Sequence, residues 1–174
     1  MSGNSGYINN MAKFTVGKGA QEYVDQLVKL EADTLKVMGK AIYPGAGVIA
    51  DQIRKNIAAV PVHSDSKLGT AEDPVTGLTS AQRVGLLEGL GISKARSENG
   101  YLHVKVGMDG YNRTRTKKYP NGQPNALIIR SLESGTSWRT KQPVISPAVS
   151  SKRAEAEQKM SDTLDEEIKK IMKG

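Results

Sequence analysis

Residues 126–172 read ALIIRSLESGTSWRTKQPVISPAVSSKRAEAEQKMSDTLDEEIKKIM, and this stretch decides the fold that we predict. A short apolar segment comes first, a polar loop with two prolines follows, and a long charged segment ends the stretch. Four apolar residues of the charged segment recur at helical spacing: Met160, Leu164, Ile168 and Ile171. Residues three or four positions apart share one helix face, so the pattern predicts an amphipathic helix from Pro147 or Ser150 to Met172.

The residues before this helix suit a fixed connector between two helices. Residues 126–132 predict a short helix, although two adjacent isoleucines leave a strand open as an alternative. Gly135 can adopt the left-handed conformation that ends a helix, and Thr136 can hydrogen-bond the freed backbone groups. Pro143 and Pro147 stiffen the loop, and Pro147 also suits the first turn of the following helix. The connector is therefore expected to aim the terminal helix outward, where neighbouring copies can contact it.

The N-terminal part of the chain predicts two helical segments with a kink or a break between them. Residues 20–38 carry an apolar stripe that continues just beyond them: Val24, Leu27, Val28, Leu35, Met38 and Ile42. Gly39 and Pro44 interrupt the pattern, because proline lacks an N–H and clashes with the preceding turn. A second helix is predicted from about Val48 to just before Pro61. It places three isoleucines on one face: Ile49, Ile53 and Ile57.

The next segment predicts a loop followed by a helix. Residues 62–79 are rich in Gly, Ser, Thr, Asp and Pro without an apolar period, so we expect a long mobile loop. Ser80 can cap a helix over residues 81–90. The residues predicted to face inward are Val84, Leu87 and Leu90.

A β hairpin is predicted after that helix. Residues 92–96 and 101–108 read as strands that flank Asn99-Gly100, a pair that tolerates positive φ and favours a tight turn. Residues 111–123 are polar and basic, which is typical of a second mobile segment.

Together these elements predict an α+β fold. It has long N-terminal helices, a small antiparallel β-sheet or hairpin, a short helix, a proline-containing loop and a long C-terminal amphipathic helix. We expect a single domain over residues 13–174, with mobile loops at 62–79 and 111–123. Residues 1–12 are Gly-, Ser- and Asn-rich and predict a flexible N-terminal arm or a tag.

The composition narrows the class of protein. The chain has no cysteine, which excludes disulfides and thiolate zinc sites and favours synthesis in a reducing cytoplasm. No apolar run approaches the ~20 residues that a membrane-spanning helix needs, so we expect no membrane partner. Aromatic residues make up only 5% of the 174 residues, a lean core that suits apolar faces completed by neighbouring subunits.

The sequence offers no pattern for catalysis. Its two histidines, His63 and His103, have no partner at catalytic or metal-ligand spacing. We therefore expect no catalytic residue, no metal site and no cofactor, and predict that the protein is not an enzyme. Three arginines are interpreted as ion-pair partners: Arg83, Arg130 and Arg139. Trp138, the only tryptophan, has two open roles: covering the core or anchoring a partner.

One short segment concentrates positive charge. The net charge is +7, and the sharpest cluster holds four basic residues: Arg113, Arg115, Lys117 and Lys118. Such a run attracts phosphate without regard to sequence, so it is a candidate DNA-facing arm. A run of like charges is more often a solvated loop, and that interpretation is the preferred one. A basic nucleic-acid-binding protein is accordingly the alternative function.

Two motifs resemble a known family. Residues 132–137 read LESGTS and residues 142–148 read QPVISPA. They are similar to the minor tail-component or tail-completion proteins (neck, head–tail joining) of long-tailed bacteriophages. Members of that family carry a Glu-aromatic-Gly-Thr element, a Pro-aromatic-aliphatic-x-Pro-Ala element and a terminal amphipathic helix. Here Ser134 and Val144 stand where an aromatic residue is usual, which leaves Trp138 as a substitute anchor.

The resemblance implies a function in assembly. It implies a structural virion protein at the head-proximal end of a phage tail, made in the host cytoplasm and working as a homohexameric ring without enzymatic activity. The implied partners are copies of itself, tail terminator, tail-tube or connector proteins, and DNA that passes without sequence-specific contacts. The implied motif and interface residues are Glu133, Gly135, Thr136, Trp138, Pro143 and Pro147.

Overall fold

Four helices and four short strands make up the part of the chain that the computed structural model describes, residues 18–64, 66–67, 69–99 and 101–173. In chain order they are α1 (Lys18–Ala59), α2 (Ser80–Gly89), β1 (Leu90–Ile92), β2 (Arg96–Glu98), β3 (Tyr101–His103), β4 (Val106–Met108), α3 (Asn125–Ser134) and α4 (Ile145–Lys173). The fold is α+β, which confirms the predicted class. The N-terminal arm predicted over residues 1–12 lies outside the described residues.

The predicted break in the N-terminal helix is wrong, because α1 runs continuously through Pro44. The two long helices pack antiparallel: Asn56 Nδ2 donates to the Val144 carbonyl (2.9 Å), and Lys40 pairs with Glu167 further along. A proline inside a helix costs about 3 kcal/mol. Burial of α1 against α4 on both sides of the proline offsets that cost and keeps the helix continuous.

The predicted inward stripe of α1 is also wrong. Val28, Leu35 and Met38 are 59%, 63% and 40% exposed, respectively. The side chains of Val24 and Leu27 lie outside the described set. A different row, spaced by four residues, faces the rest of the molecule: Val37, Ala41, Gly45, Ile49, Ile53 and Ile57. Its small residues allow close approach of α4, since a Cβ at position 45 would overlap a methionine side chain of that helix.

The hydrophobic core lies where the C-terminal half of α1 meets α2, α3 and the start of α4. Its fully enclosed members include Ile57, Leu78, Leu86, Ile128, Leu132 and Ala148, each 0% exposed. The prediction that three isoleucines of α1 share an inward face is confirmed, because Ile53 and Ile57 are buried and Ile49 packs against the core. Burying an Ile or Leu side chain contributes roughly 1.5–3 kcal/mol, so this cluster is the main source of stability.

Helix α2 begins one residue from the predicted cap. Thr79, rather than Ser80, is the N-cap: its hydroxyl accepts from Gln82 N (3.1 Å), while Gln82 Oε1 accepts from Thr79 N (3.2 Å). The cap turns Gln82 inward and leaves Val84, predicted to be buried, 48% exposed. Leu86 takes the enclosed position instead.

The predicted hairpin is present but interrupted. Strands β1 and β4 pair antiparallel, as do β2 and β3 nearer the tip, and Asn99 takes a φ of 52° at the turn. Between the two pairs, Ser93 Oγ accepts from Lys105 N (2.9 Å), so a side chain replaces a ladder bond. Ala95 N donates instead to the hydroxyl of Tyr43 on α1 (2.8 Å), which ties the hairpin to that helix.

The two C-terminal helices refine the prediction for this region. Helix α3 confirms the short helix, and the strand alternative is wrong. Helix α4 starts at Ile145, so Pro147 lies in its first turn, where no intrahelical N–H donor is needed. The expected outward projection of α4 is wrong, because the helix packs along α1 of the same chain and buries Ala148 and Ala156. Its predicted apolar stripe is half-buried rather than free.

Candidate functional site

The connector between α3 and α4 is held at both ends by hydrogen bonds. Gly135 ends α3 with a φ of 73°, and its N–H donates to the Ser131 carbonyl (3.0 Å). Gln142 N donates to the carbonyl of Leu132 (2.8 Å), so the chain returns to the end of the helix it has just left. Between these points, the backbones of Thr136 and Arg139 exchange two hydrogen bonds. The loop is therefore a closed turn with a fixed exit direction.

Glu133 joins the end of α3 to the start of α4. Its Oε2 accepts from Val144 N (2.9 Å) and Ile145 N (3.0 Å), and its Oε1 accepts from Ser146 N (2.8 Å) and from the Ser146 hydroxyl. These are N–H groups that a helix start leaves without intrahelical partners, and the helix dipole also favours a carboxylate there. Burial acts to raise the pKa of Glu133, but the hydrogen bonds from Ser146, Ile145 and Val144 together hold it below its ordinary value. Glu133 thus acts as a clasp that fixes α4 against α3.

The other residues highlighted by the sequence lie on the same connector. Thr136, Pro143 and Pro147 are exposed, and Gly135 is half-buried. Trp138 is half-buried as well: its carbonyl accepts from Val75 N (3.0 Å), and its ring lies 5.1 Å from the Arg139 guanidinium carbon. Its contacts are thus with its own chain, while part of the side chain remains at the surface.

Arg139 is the functional candidate that sequence reasoning missed. Its side chain is 2% exposed, and its guanidinium donates to the Gly77 carbonyl and to Gln82 Oε1 (2.8 Å). Burial lowers its pKa to about 10, so the group remains charged near neutral pH. The prediction that Arg83, Arg130 and Arg139 make ion pairs is wrong for the described residues, whose ion pairs include none of the three. The only sequence signal was an arginine directly after the single tryptophan.

A cavity of about 170 Å³ lies beside Arg139 and Trp138. Its wall comes from three loops and the start of α2, and its other lining residues are His63, Lys67, Gly69, Val75, Thr79, Gln82, Thr116 and Gln123. The 62–79 segment is tied down on both sides of this cavity: His63 N donates to the Leu78 carbonyl (2.9 Å) and Thr140 N donates to the Val75 carbonyl (2.9 Å). The predicted mobility of that segment stays a prediction.

The basic segment forms a separate surface. Its four predicted residues are all exposed: Arg113, Arg115, Lys117 and Lys118. Asn112 anchors the base of the segment, since its N–H donates to the Gln123 carbonyl (2.9 Å) and its side chain is buried. Lys118 lies 5.6 Å from the centre of the Tyr119 ring. The segment therefore presents four cations to solvent from an anchored base, and its predicted mobility also remains a prediction.

The described residues contain no group of three or more His, Cys, Asp or Glu side chains arranged to hold a metal ion. Within the same residues, no helix combines the length and the apolar character that crossing a membrane requires. No protein-family model, curated protein or solved structure matches the chain. The functional proposal therefore rests on this chain's own residues and their geometry.

Proposed function

We propose that the protein is a structural virion component at the head-proximal end of a long-tailed phage, where it acts by assembling with copies of itself into a ring, six being the expected number. The observation that carries this proposal is the apolar stripe of α1 that a single copy leaves uncovered. The motifs around Glu133 and Pro147, which resemble those of tail-completion proteins, supply the location in the virion. Tail-terminator, tail-tube or connector proteins are the proposed neighbours.

The uncovered stripe suits a helix from a second copy of the chain. Val28 and Leu35 are seven residues apart and Met38 follows three later, which is the spacing of a and d positions in a coiled coil. Scattered exposed apolar residues need no explanation, but these three share one helix face, on which the exposed Glu31 lies between Val28 and Leu35. Lys29, Asp33 and Lys36 lie off this face, so the apolar side chains make the contact surface. A second copy of the chain carries the same apolar residues and is the proposed occupant.

The Glu133 clasp supports the same proposal. A ring closes only when every subunit presents its two contact surfaces at a constant angle. The clasp holds α4 to α3, and α4 in turn packs along α1, so the exposed stripe has a fixed direction relative to the core. The connector would thereby set the geometry of assembly instead of presenting α4 to a neighbour.

The alternative function, nucleic-acid binding, is favoured by one observation: four exposed basic side chains on a loop with an anchored base. Within a ring, the same loop would face passing DNA, with sequence-independent and salt-sensitive attraction. A gel-shift titration with duplex DNA at low salt separates the two functions. Tight binding by an isolated, monomeric protein would favour the alternative.

Native mass spectrometry tests ring assembly. We expect the wild-type protein to give a species of about six times 18.7 kDa. Leu35→Glu places a charge in the stripe and should give monomers. Val84→Glu is the matched control, because Val84 is an exposed apolar residue on α2, outside the stripe, and this variant should assemble normally. Assembly of both variants alike would contradict the proposal. Electron microscopy of rings mixed with tail-tube and connector proteins then tests the location.

A further inference from the structure

Arg139, in the wall of the cavity, carries a buried positive charge, and no described acidic side chain neutralises it. Arg139 is 98% buried, and its two described acceptors are a backbone carbonyl and an amide oxygen, neither of which carries charge. Its Nε has no hydrogen-bond partner among the described residues. Burying a charged group is strongly unfavourable unless an opposite charge and hydrogen bonds compensate for the lost water. Contact with the Trp138 ring offsets only part of that cost.

A second unpartnered nitrogen belongs to the same cavity. His63 Nε2 is buried and lacks a partner among the described residues. Nδ1 of the same ring lies 3.1 Å from the Ser64 carbonyl, which can only accept, so Nε2 of the neutral ring is an acceptor that suits the P–O–H group of a hydrogen phosphate. Lys67 lines the cavity too, and its ammonium group pairs with Asp73, which is not a lining residue. The described lining includes no Asp or Glu. A buried guanidinium with an unpartnered N–H, in a described lining that holds no acid, makes an environment for an anion.

We propose that this cavity binds a phosphate group. Arginine and lysine are the usual phosphate ligands in proteins, and the threonine hydroxyls of Thr79 and Thr116 add polar groups to the wall. A phosphate can accept from donors on several sides at once, which matches a wall drawn from several segments, whereas a carboxylate offers two oxygens in one plane. At about 170 Å³, the cavity has room for a group of several heavy atoms. The proposal does not depend on ring assembly.

The position of the basic segment indicates how a phosphate would arrive. Thr116 lines the cavity, and its neighbours Arg115 and Lys117 are exposed. Positive charge therefore continues from the cavity wall to the surface, which raises the local concentration of anions. The phosphate can be a free ion or the terminal phosphate of a nucleic acid, since both present the same oxygens.

Isothermal titration calorimetry with inorganic phosphate tests the proposal on the full chain. We expect saturable binding to the wild-type protein, and no comparable binding of acetate at the same ionic strength. Lys67→Met should weaken phosphate binding about tenfold, the usual effect of losing one charge-assisted hydrogen bond. Lys55→Met is the matched control: it removes the same charge from the exposed side of α1, outside both the cavity and the basic segment, and should leave the affinity unchanged. Arg139→Met should abolish binding if it folds, and Lys67→Met keeps the test decisive if it does not.

Oligonucleotides identify the source of the phosphate. Tighter binding of a 5′-phosphorylated single strand than of its unphosphorylated counterpart would support a nucleic-acid end, and equal binding would support the free ion. Absence of phosphate binding, equal binding of acetate, or equal losses in Lys67→Met and Lys55→Met would overturn the proposal. One carboxylate of the same loop, that of Asp65, belongs to a residue outside the described set, and Asp65→Asn tests its influence. Phosphate binding that appears only in this variant would show that Asp65 occupies the cavity, and would overturn the proposal as well.

Discussion

The two halves of α1 carry similar apolar residues but place them in opposite environments. In the C-terminal half, Ile53 and Ile57 are 1% and 0% exposed and form part of the core. In the N-terminal half, Val28 and Leu35 are more than half exposed although they sit in the same continuous helix. Helical periodicity alone cannot distinguish them, because the difference comes from what packs alongside. The C-terminal half is enclosed by the core, whereas the N-terminal half packs against α4 on one face and leaves the other face exposed for the proposed assembly.

The largest expected effect is a difference in stability between substitutions in the two halves. Ile57→Ala leaves a cavity in the core and should lower the free energy of unfolding by about 2–5 kcal/mol. Leu35→Ala should change it by less than about 0.5 kcal/mol in the monomer, because the side chain is 63% exposed. Urea denaturation at a concentration low enough to keep the protein monomeric measures both. Comparable losses would mean that Leu35 is covered within its own copy.

At the junction between the halves, replacing two nearby glycines with alanine should change the stability in opposite directions. A Cβ at Gly45 would overlap Met160 Cγ and lie 2.9 Å from the Ala156 carbonyl, so Gly45→Ala should destabilise the protein by about 1–3 kcal/mol. A Cβ at Gly47 meets nothing within 4 Å, and Gly47→Ala should stabilise the helix by about 0.5–1 kcal/mol. Thermal denaturation compares the two. Stabilisation by both substitutions would show that α4 does not approach α1 closely at Gly45.

A medium effect is expected at the Glu133 clasp, which fixes α4 against the core half of the molecule. Glu133→Gln should cost about 1–2 kcal/mol, the size of a lost helix cap. Because the folded-state pKa is below the ordinary 4.5, the carboxylate's contribution is complete above that pH and is lost as the pH falls through the folded value. The stability difference between wild type and variant should therefore shrink on acidification. Glu157→Gln, on the exposed face of α4, is the control and should not alter stability. A difference that persists in acid would contradict the clasp.

The smallest effect is expected at the other end of α4. Hydrogen bonds from Lys170 and Lys40 lower the pKa of Glu167 to about 2. Its contribution is thus present above pH 4.5 and is lost only as the pH falls toward 2. These are surface ion pairs, so Glu167→Gln should lower the Tm less than Glu133→Gln does. Added salt should remove the Tm difference between the wild type and Glu167→Gln. A salt-independent loss larger than that of Glu133→Gln would indicate that this end of α4 contributes more than the clasp.

Local patterns predict most of the secondary structure. The Asn99 turn, the short helix α3, the long helix α4 and the inward isoleucines of α1 all follow from spacing within a few residues. The continuity of α1 and its true inward face do not, because both depend on α4, which lies about a hundred positions further along the chain. Leu35 and Val37 are two residues apart and lie on different faces of α1, and the sequence alone does not say which of these faces is buried.

The candidate sites were predictable only in part. Glu133 and Pro147 stand out by their motifs, yet the role of Glu133 as a cap requires that the chain return to it after eleven residues. The burial of Arg139 requires acceptors on Gly77 and Gln82, more than fifty positions away. No local pattern signals such contacts, so the cavity that we propose for phosphate is visible only in the folded chain.

The most direct test of the account is whether the exposed half of α1 becomes covered when copies meet. The chain has no cysteine, so Leu35→Cys and Val84→Cys each introduce a single thiol whose rate of maleimide labelling reports its accessibility. We predict similar rates for the two thiols in dilute protein, and selective protection of position 35 as the concentration rises. Labelling of position 35 as fast as that of position 84 at every concentration would contradict it.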